Sequence, residues 1–91
     1  MSSSKTWYVY LIECSDGSLY TGITVDLAAR FAAHRDGRGA RAMRLHAPLR
    51  MVAAEAHRDR SAASKAEYRI KQLTATEKRA YAATMTPDPL A

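Results

Sequence analysis

Residues 6–25 read TWYVYLIECSDGSLYTGITV, with two runs of aromatic and β-branched side chains on either side of a Ser15–Gly17 turn. Such runs favour β-strands, and an Asp-Gly pair between two of them is typical of a hairpin turn. The pattern predicts strands over residues 6–14 and 18–25, joined as an antiparallel β-hairpin.

The length of the turn sets the register of this hairpin. A two-residue loop would place Tyr10 and Tyr20 on opposite faces of the sheet, whereas a three-residue loop with Gly17 left-handed places them on the same face. The longer loop gathers apolar side chains on one face: Trp7, Val9, Leu11, Leu19, Ile23 and Val25. The other, more polar face then carries Tyr8, Tyr10, Tyr20, Gly22 and Thr24. We predict this second register, with Gly22 opposite Tyr10 and a gap beside the phenol.

The middle of the chain predicts a helix, a loop and a third strand. Asp26 is a suitable N-cap for a helix that runs to about Arg35. A loop rich in glycine and arginine follows over residues 37–44. Pro48 precedes a short strand, predicted over residues 49–56.

Two more helices are predicted in the last third of the chain. Ser61 is expected to cap the first of them, which runs to about Gln72, and Thr74-Ala75-Thr76-Glu77 forms a capping box for the second, which stops before Pro87. The prediction is an α+β fold of order ββαβαα, a three-stranded antiparallel sheet flanked by helices.

Composition limits the class of protein. Ninety-one residues with 47% hydrophobic side chains predict one domain over residues 1–91, with a core over 6–85 and short flexible ends. The single cysteine excludes an intrachain disulfide framework. The sequence shows neither a signal peptide nor a run of about 18 apolar residues, so we expect a cytoplasmic protein with no membrane partner.

Positive charge suggests a polyanionic partner. The chain carries 14 Lys and Arg against 9 Asp and Glu, a net charge of +5. Five of these residues form what we call the arginine segment: Arg35, Arg38, Arg41, Arg44 and Arg50. The planar guanidinium matches phosphate geometry, so we predict nucleic-acid binding there, with a merely solvated loop as the alternative.

Helical periodicity directs two charged side chains toward the tyrosine face. Arg30 falls within the apolar stripe formed by Leu27, Phe31 and His34, and Glu67 lies at the edge of a second stripe formed by Ala63, Ala66, Ile70 and Leu73. The plain alternatives are tyrosines that only pack and an Arg30–Glu67 ion pair that only stabilises. His46 and His57 have no metal-ligand spacing and are expected to be solvated.

These residues together resemble the GIY-YIG superfamily. Tyr8-Val9-Tyr10 precedes Tyr20-Thr21-Gly22 by about ten residues, Arg30 lies on the following helix and Glu67 on a later one. The resemblance covers roughly residues 7–73 and is closest to small bacterial members that consist of this domain alone. Tyr8 and Gly22 correspond to structural positions of the paired motif.

The resemblance implies a DNA endonuclease that uses one divalent ion, Mg²⁺ or Mn²⁺, and relatives of this class work in DNA repair. It implies that Glu67 holds the ion, Arg30 clamps the scissile phosphate and His34 lies near it. Tyr10 or Tyr20 would deprotonate the attacking water. We expect Tyr10 to be the base, with its pKa lowered by Arg30 and the metal. Branched or single-stranded DNA is the expected partner, with a homodimer or partner protein as further options.

Two departures from the family pattern leave alternatives open. Tyr8 stands where the motif has glycine, and Ile23 stands where some members carry a lysine that could tune a tyrosine. A catalytically weak or inactive nucleic-acid-binding module is therefore one alternative. The other is an adaptor recruited by a partner protein through the last helix.

Overall fold

The structure is a computed structural model that describes residues 5–39, 41 and 45–91. Within these residues the elements are β1 (Trp7–Cys14), β2 (Leu19–Thr24), α1 (Leu27–Arg35), β3 (Pro48–His57), α2 (Arg60–Lys71), α3 (Ala75–Ala82) and β4 (Thr86–Pro87). The strands form one antiparallel sheet in the order β2-β1-β3-β4.

The predicted α+β fold is confirmed, but the sheet has one strand more than expected. After α3 the chain turns back, and Thr86 and Pro87 pair with Ala54 and Ala53 at the free edge of β3. Pro87 has no N–H to donate, and an edge strand is where a sheet tolerates that. A two-residue strand has no periodicity of its own, so the sequence did not predict it.

The hairpin register is as predicted. Tyr10 pairs with Gly22, and Gly17 has a φ of +86°, the left-handed conformation required by the three-residue loop. The loop is closed by the Gly17 N–H, which donates to the Cys14 carbonyl at 2.9 Å. Tyr10 and Tyr20 therefore share one face of the sheet.

The expectation that this face would be the polar side of the sheet is wrong. Tyr10 is 1% exposed and belongs to a core cluster with Ile12 and Met51, against which Leu27 and Phe31 of α1 pack. The opposite face packs against α2 and α3 through a second cluster: Val9, Leu11, Ala53, Ala66, Ile70 and Met85. Strand β1 is therefore enclosed by β2 and β3 at its edges and by helices on both of its faces.

Capping residues set the helix starts, two of them as predicted. Asp26 accepts a hydrogen bond from the Ala29 N–H at 3.0 Å, and Thr74 forms the predicted capping box with Glu77. Ser61 is not the cap of α2. Asp59 takes that place and accepts from the Ala62 N–H at 2.8 Å, because β3 runs on to His57 and α2 begins three residues later. Within the described residues, no helix is long and apolar enough to span a bilayer.

Candidate active site

A hydrogen bond between Tyr10 and His34 forms the centre of the site. The two atoms joined, Tyr10 Oη and His34 Nε2, lie 2.9 Å apart, and each side chain is 1% exposed. Strand β1 supplies the tyrosine and the last turn of α1 supplies the histidine. The bond therefore joins the sheet to the helix that covers it.

Two glycines make room for this pair. A Cβ added to Gly22 would overlap the phenol of Tyr10, and one added to Gly39 would overlap the imidazole of His34. Gly22 does leave space opposite Tyr10, but the phenol of Tyr10 fills that space, so the gap predicted beside the phenol is not found. Gly39 follows α1 in a loop, and nothing in its local sequence indicated this contact.

Tyr20 completes an aromatic cluster with Tyr10 and His34. Its ring centroid lies 5.2 Å from that of His34 in an edge-on arrangement and 6.4 Å from that of Tyr10. Tyr20 is also more exposed than Tyr10. The cluster therefore has a buried part, the Tyr10–His34 bond, and a part that solvent and ligands can reach.

Burial shifts the proton equilibria of the two bonded groups in opposite directions. The pKa of Tyr10 is raised, mainly because burial disfavours the phenolate, with Tyr20 and Glu67 adding to the rise. Arg30 lies close enough to lower this pKa but does not outweigh burial. Arg30 alone therefore does not produce the expected lowering of the phenol's pKa.

The pKa of His34 is lowered, first by burial and then by the positive charge of Arg30. At neutral pH the pair therefore consists of a protonated phenol and a neutral imidazole. A neutral imidazole has one nitrogen that can accept a hydrogen bond. With Nε2 in that role, the phenol of Tyr10 can pass its proton toward His34.

Arg30 and Glu67 both act on Tyr10, yet they do not pair with each other. Glu67 forms its ion pair with Lys71, one turn along α2, at 3.3 Å. Within the described residues Arg30 forms no ion pair, so the structural Arg30–Glu67 bridge is absent. The contact between Glu67 and Lys71 has the i,i+4 spacing of a helix and could have been predicted from sequence.

The site offers few protein ligands for a metal ion. In the described part of the chain, no group of three or more His, Cys, Asp or Glu side chains is arranged to hold one. Glu67 is a carboxylate with a side chain 23% exposed. Mg²⁺ keeps several waters and commonly binds through one or two carboxylates and substrate phosphates. The residues therefore fit an ion held jointly by Glu67 and a phosphate group.

The arginine segment is only partly available for phosphate. Arg35 and Arg38 both contact Asp36, at 3.5 and 3.1 Å. Arg41 is exposed. Arg44 lies outside the described residues.

Arg50, the last residue of the arginine segment, is engaged by carboxylates within the protein. Its guanidinium contacts Asp88 at 3.0 Å and Glu13 at 3.5 Å. Two carboxylates thus balance the charge of Arg50. The contact with Asp88 connects β3 to the residues after β4.

One histidine expected to be solvated is not. His57 has a side chain only 18% exposed, and its Nε2 lies 2.9 Å from Glu55 Oε1. His46, by contrast, is 48% exposed and 3.6 Å from Asp16. The partner of His57 lies two residues away, on the same face of β3, a spacing that could have indicated the contact.

The chain is similar to known proteins over most of its length. The GIY-YIG catalytic domain family matches residues 6–81. A UPF0213 protein of Cupriavidus necator is 46% identical over 85 residues, which are 93% of this chain and 92% of that protein. One from Cronobacter sakazakii is 51% identical over 74 residues, 81% of this chain and 78% of the relative.

A solved structure supports the same relationship. The solution NMR structure of a UPF0213 protein from Bacillus halodurans matches with a TM-score of 0.57 and 36% identity. The match covers 93% of this chain and 89% of that one. Sequence and fold therefore point to the same relatives.

Proposed function

Because the chain belongs to the GIY-YIG catalytic domain family, we propose that it is an endonuclease that hydrolyses DNA phosphodiester bonds with one Mg²⁺ or Mn²⁺ ion. The observation that carries this proposal is the 2.9 Å hydrogen bond between Tyr10 and His34. Arg30 and Glu67, of opposite charge, act on the same phenol. A proton acceptor, a cation and a carboxylate are what attack of water on a phosphodiester requires.

Tyr10 acts as the base by passing on its own proton. The raised pKa of Tyr10 keeps the phenol protonated at neutral pH, so the phenolate is not present in advance. This step requires that the attacking water reach Tyr10 Oη, which lies in the buried part of the cluster. As water attacks phosphorus, one water proton then moves to Tyr10 Oη and the phenol's proton moves to His34 Nε2. The P–O3′ bond breaks, which leaves a 5′-phosphate and a 3′-oxygen that takes a proton from solvent. A phosphate bound nearby would favour the protonated form of His34 and thereby this transfer.

The other residues position and neutralise the phosphate. Arg30 has no carboxylate partner in the described residues and would donate its N–H groups to the scissile phosphate. Tyr20, on the accessible side of the aromatic cluster, would contact the water or the phosphate. Glu67 would hold the divalent ion, and the bound ion supplies charge neutralisation at the phosphate oxygens.

The test is a nicking assay with Mg²⁺ or Mn²⁺ on supercoiled plasmid and on branched, flapped and single-stranded DNA. We expect Glu67→Ala and Tyr10→Phe each to reduce the cleavage rate by about 10²-fold or more, since each removes an acid–base or charge-stabilising group. His34→Gln should resemble Tyr10→Phe. Tyr68→Phe is the matched control: it removes a hydroxyl from a tyrosine 69% exposed and outside the aromatic cluster, and should cleave like wild type.

Three results would change the proposal. Full metal-dependent cleavage by Glu67→Ala would remove that residue from the metal site. Salt-sensitive DNA binding without cleavage on any substrate would indicate the inactive binding module, an alternative that the raised pKa of Tyr10 and the Ile23 departure favour. No DNA affinity at all, with association to a partner protein unchanged after neutralising Arg38, Arg41 and Arg44, would instead support the adaptor. A place in DNA repair stays a prediction.

A further inference from the structure

A cleft of about 240 Å³ lies beside α2, outside the aromatic cluster. Its lining includes Arg58, Lys65 and Arg69, together with His57 and Asp59. Three cations thus face one carboxylate. We call this cleft the α2 groove.

Two of these cations have no carboxylate partner. Lys65 and Arg69 form no ion pair with any described residue, and Arg58 contacts only Asp59, at 3.6 Å, with its side chain 89% exposed. Asp59 is also engaged as the N-cap of α2, where it accepts from the Ala62 N–H. Unbalanced positive charge along one groove attracts anions.

The neighbouring acid does not offset this charge. Glu55 accepts a hydrogen bond from Tyr81 at 3.4 Å and pairs with His57 at 2.9 Å. Its carboxylate is therefore already satisfied on the side of β3 and α3. The groove as a whole remains basic.

The groove lies on the far side of α2 from the active site. Lys65 and Arg69 are each two residues from Glu67, so at about 100° per residue both lie roughly 160° around the helix from it. Lys65 and Arg69, four residues apart within α2, are about 6 Å apart along the helix axis. Phosphates of one strand are about 3.4 Å apart along a duplex axis, so the separation of the two cations exceeds the spacing of neighbouring phosphates.

We infer that the α2 groove binds the phosphodiester backbone of a nucleic-acid strand, several nucleotides away from the scissile phosphate. The inference rests on the proposed function and deepens it, since the groove would hold a part of the substrate that the aromatic cluster does not reach. Lys65 and Arg69 make the phosphate contacts, and Arg58 extends the row. Substrates long enough to cover both sites bind more tightly than those that reach only one.

The test measures binding without cleavage. Fluorescently labelled single-stranded DNA of 6 and 20 nucleotides is titrated in EDTA at several salt concentrations. We expect Lys65→Gln/Arg69→Gln to lower the slope of log affinity against log salt by about 1.4 for the 20-mer, since each lost phosphate contact lowers it by about 0.7. The 6-mer, too short to cover both sites, should show a smaller change.

Two control variants distinguish a loss of phosphate contacts in the groove from an effect of net charge and from an effect on folding. Lys5→Gln/Arg79→Gln removes the same charge outside the groove, the aromatic cluster and the arginine segment, and should keep the wild-type slope. Lys65→Arg/Arg69→Lys keeps both charges and should keep it as well.

Three results would overturn the inference. If wild type binds the 20-mer and Lys65→Gln/Arg69→Gln keeps the wild-type slope, the groove holds no nucleic acid and the endonuclease proposal stands. If wild type binds no DNA, the proposed function itself fails. If the double variant loses only the binding of inorganic phosphate, followed by NMR, the groove takes small anions instead of a strand.

Discussion

At Gly22, the absence of one Cβ makes room for the phenol of Tyr10. The phenol lies where that Cβ would be, and its Oη is bonded to His34 Nε2. Protein interiors are close-packed, so an added methyl group must displace something. Tyr10 belongs to a buried β-strand whose backbone is held on both edges. An added methyl group at Gly22 would therefore displace the phenol and not the strand.

We therefore expect Gly22→Ala to destabilise the fold by about 1–3 kcal/mol, the usual cost of overpacking. It should also lower the cleavage rate at least tenfold, because the displaced phenol loses its bond to His34. Urea unfolding measures the first effect and the nicking assay the second.

The matched control is Gly17→Ala. Gly17 has open space around it but a φ of +86°, so alanine there costs about 1–2 kcal/mol of backbone strain without touching the site. Its cleavage rate should equal that of wild type at a temperature where both are folded. Equal rates for both alanine variants would mean that the position of Tyr10 does not control catalysis.

Among the elements, α1 carries two residues of the site one turn apart. Arg30 and His34 lie on its inner side, and Asp26 caps its N-terminus through the Ala29 N–H. An N-cap satisfies backbone donors that the first turn of a helix leaves unpaired. The capping bond therefore also holds the turn that positions Arg30.

Asp26→Ala should lower the free energy of unfolding by about 1 kcal/mol, the usual value for loss of a cap. The first turn of α1 should fray, and cleavage should fall because Arg30 follows that turn. Asp26→Asn retains an oxygen acceptor and should keep most of both stability and cleavage. Similar losses for Asn and Ala would show that the carboxylate charge, and not capping, is what the helix needs.

At the scale of the whole molecule, the residues after α3 are held against the edge of the sheet. Strand β4 pairs with β3, and Arg50 contacts Asp88 and Glu13. Arg50 is 58% exposed, so its ion pairs contribute little energy in water. Its role is to connect distant parts of the chain.

This arrangement predicts different effects for two arginines. Arg41→Ala should lower the slope of log DNA affinity against log salt by about 0.7, since Arg41 is exposed and has no ion pair in the described residues. Arg50→Ala should leave the slope unchanged and reduce stability by less than about 1 kcal/mol. A lower slope in Arg50→Ala, measured by fluorescence anisotropy, would show that Arg50 contacts nucleic acid.

Local sequence patterns determined much of the secondary structure of this protein. The register of β1 and β2 follows from the Ser15–Gly17 loop, and the starts of α1 and α3 follow from Asp26 and Thr74, because each depends on residues within a few positions. The same patterns identified Tyr10, Tyr20, Arg30 and Glu67 as candidates, but α2, which carries Glu67, packs on the sheet face opposite Tyr10, and Glu67 acts on the phenol only electrostatically.

Only the tertiary structure decided the contacts between elements far apart in the chain. The Tyr10–His34 bond spans 24 positions and the Arg50–Asp88 contact spans 38, and no local period encodes either. Helix α1 covers Tyr10, and the resulting loss of water raises the phenol's pKa where its neighbour Arg30 alone would have lowered it. Burial depends on how every element packs, so its electrostatic consequences could not be predicted from residue spacing.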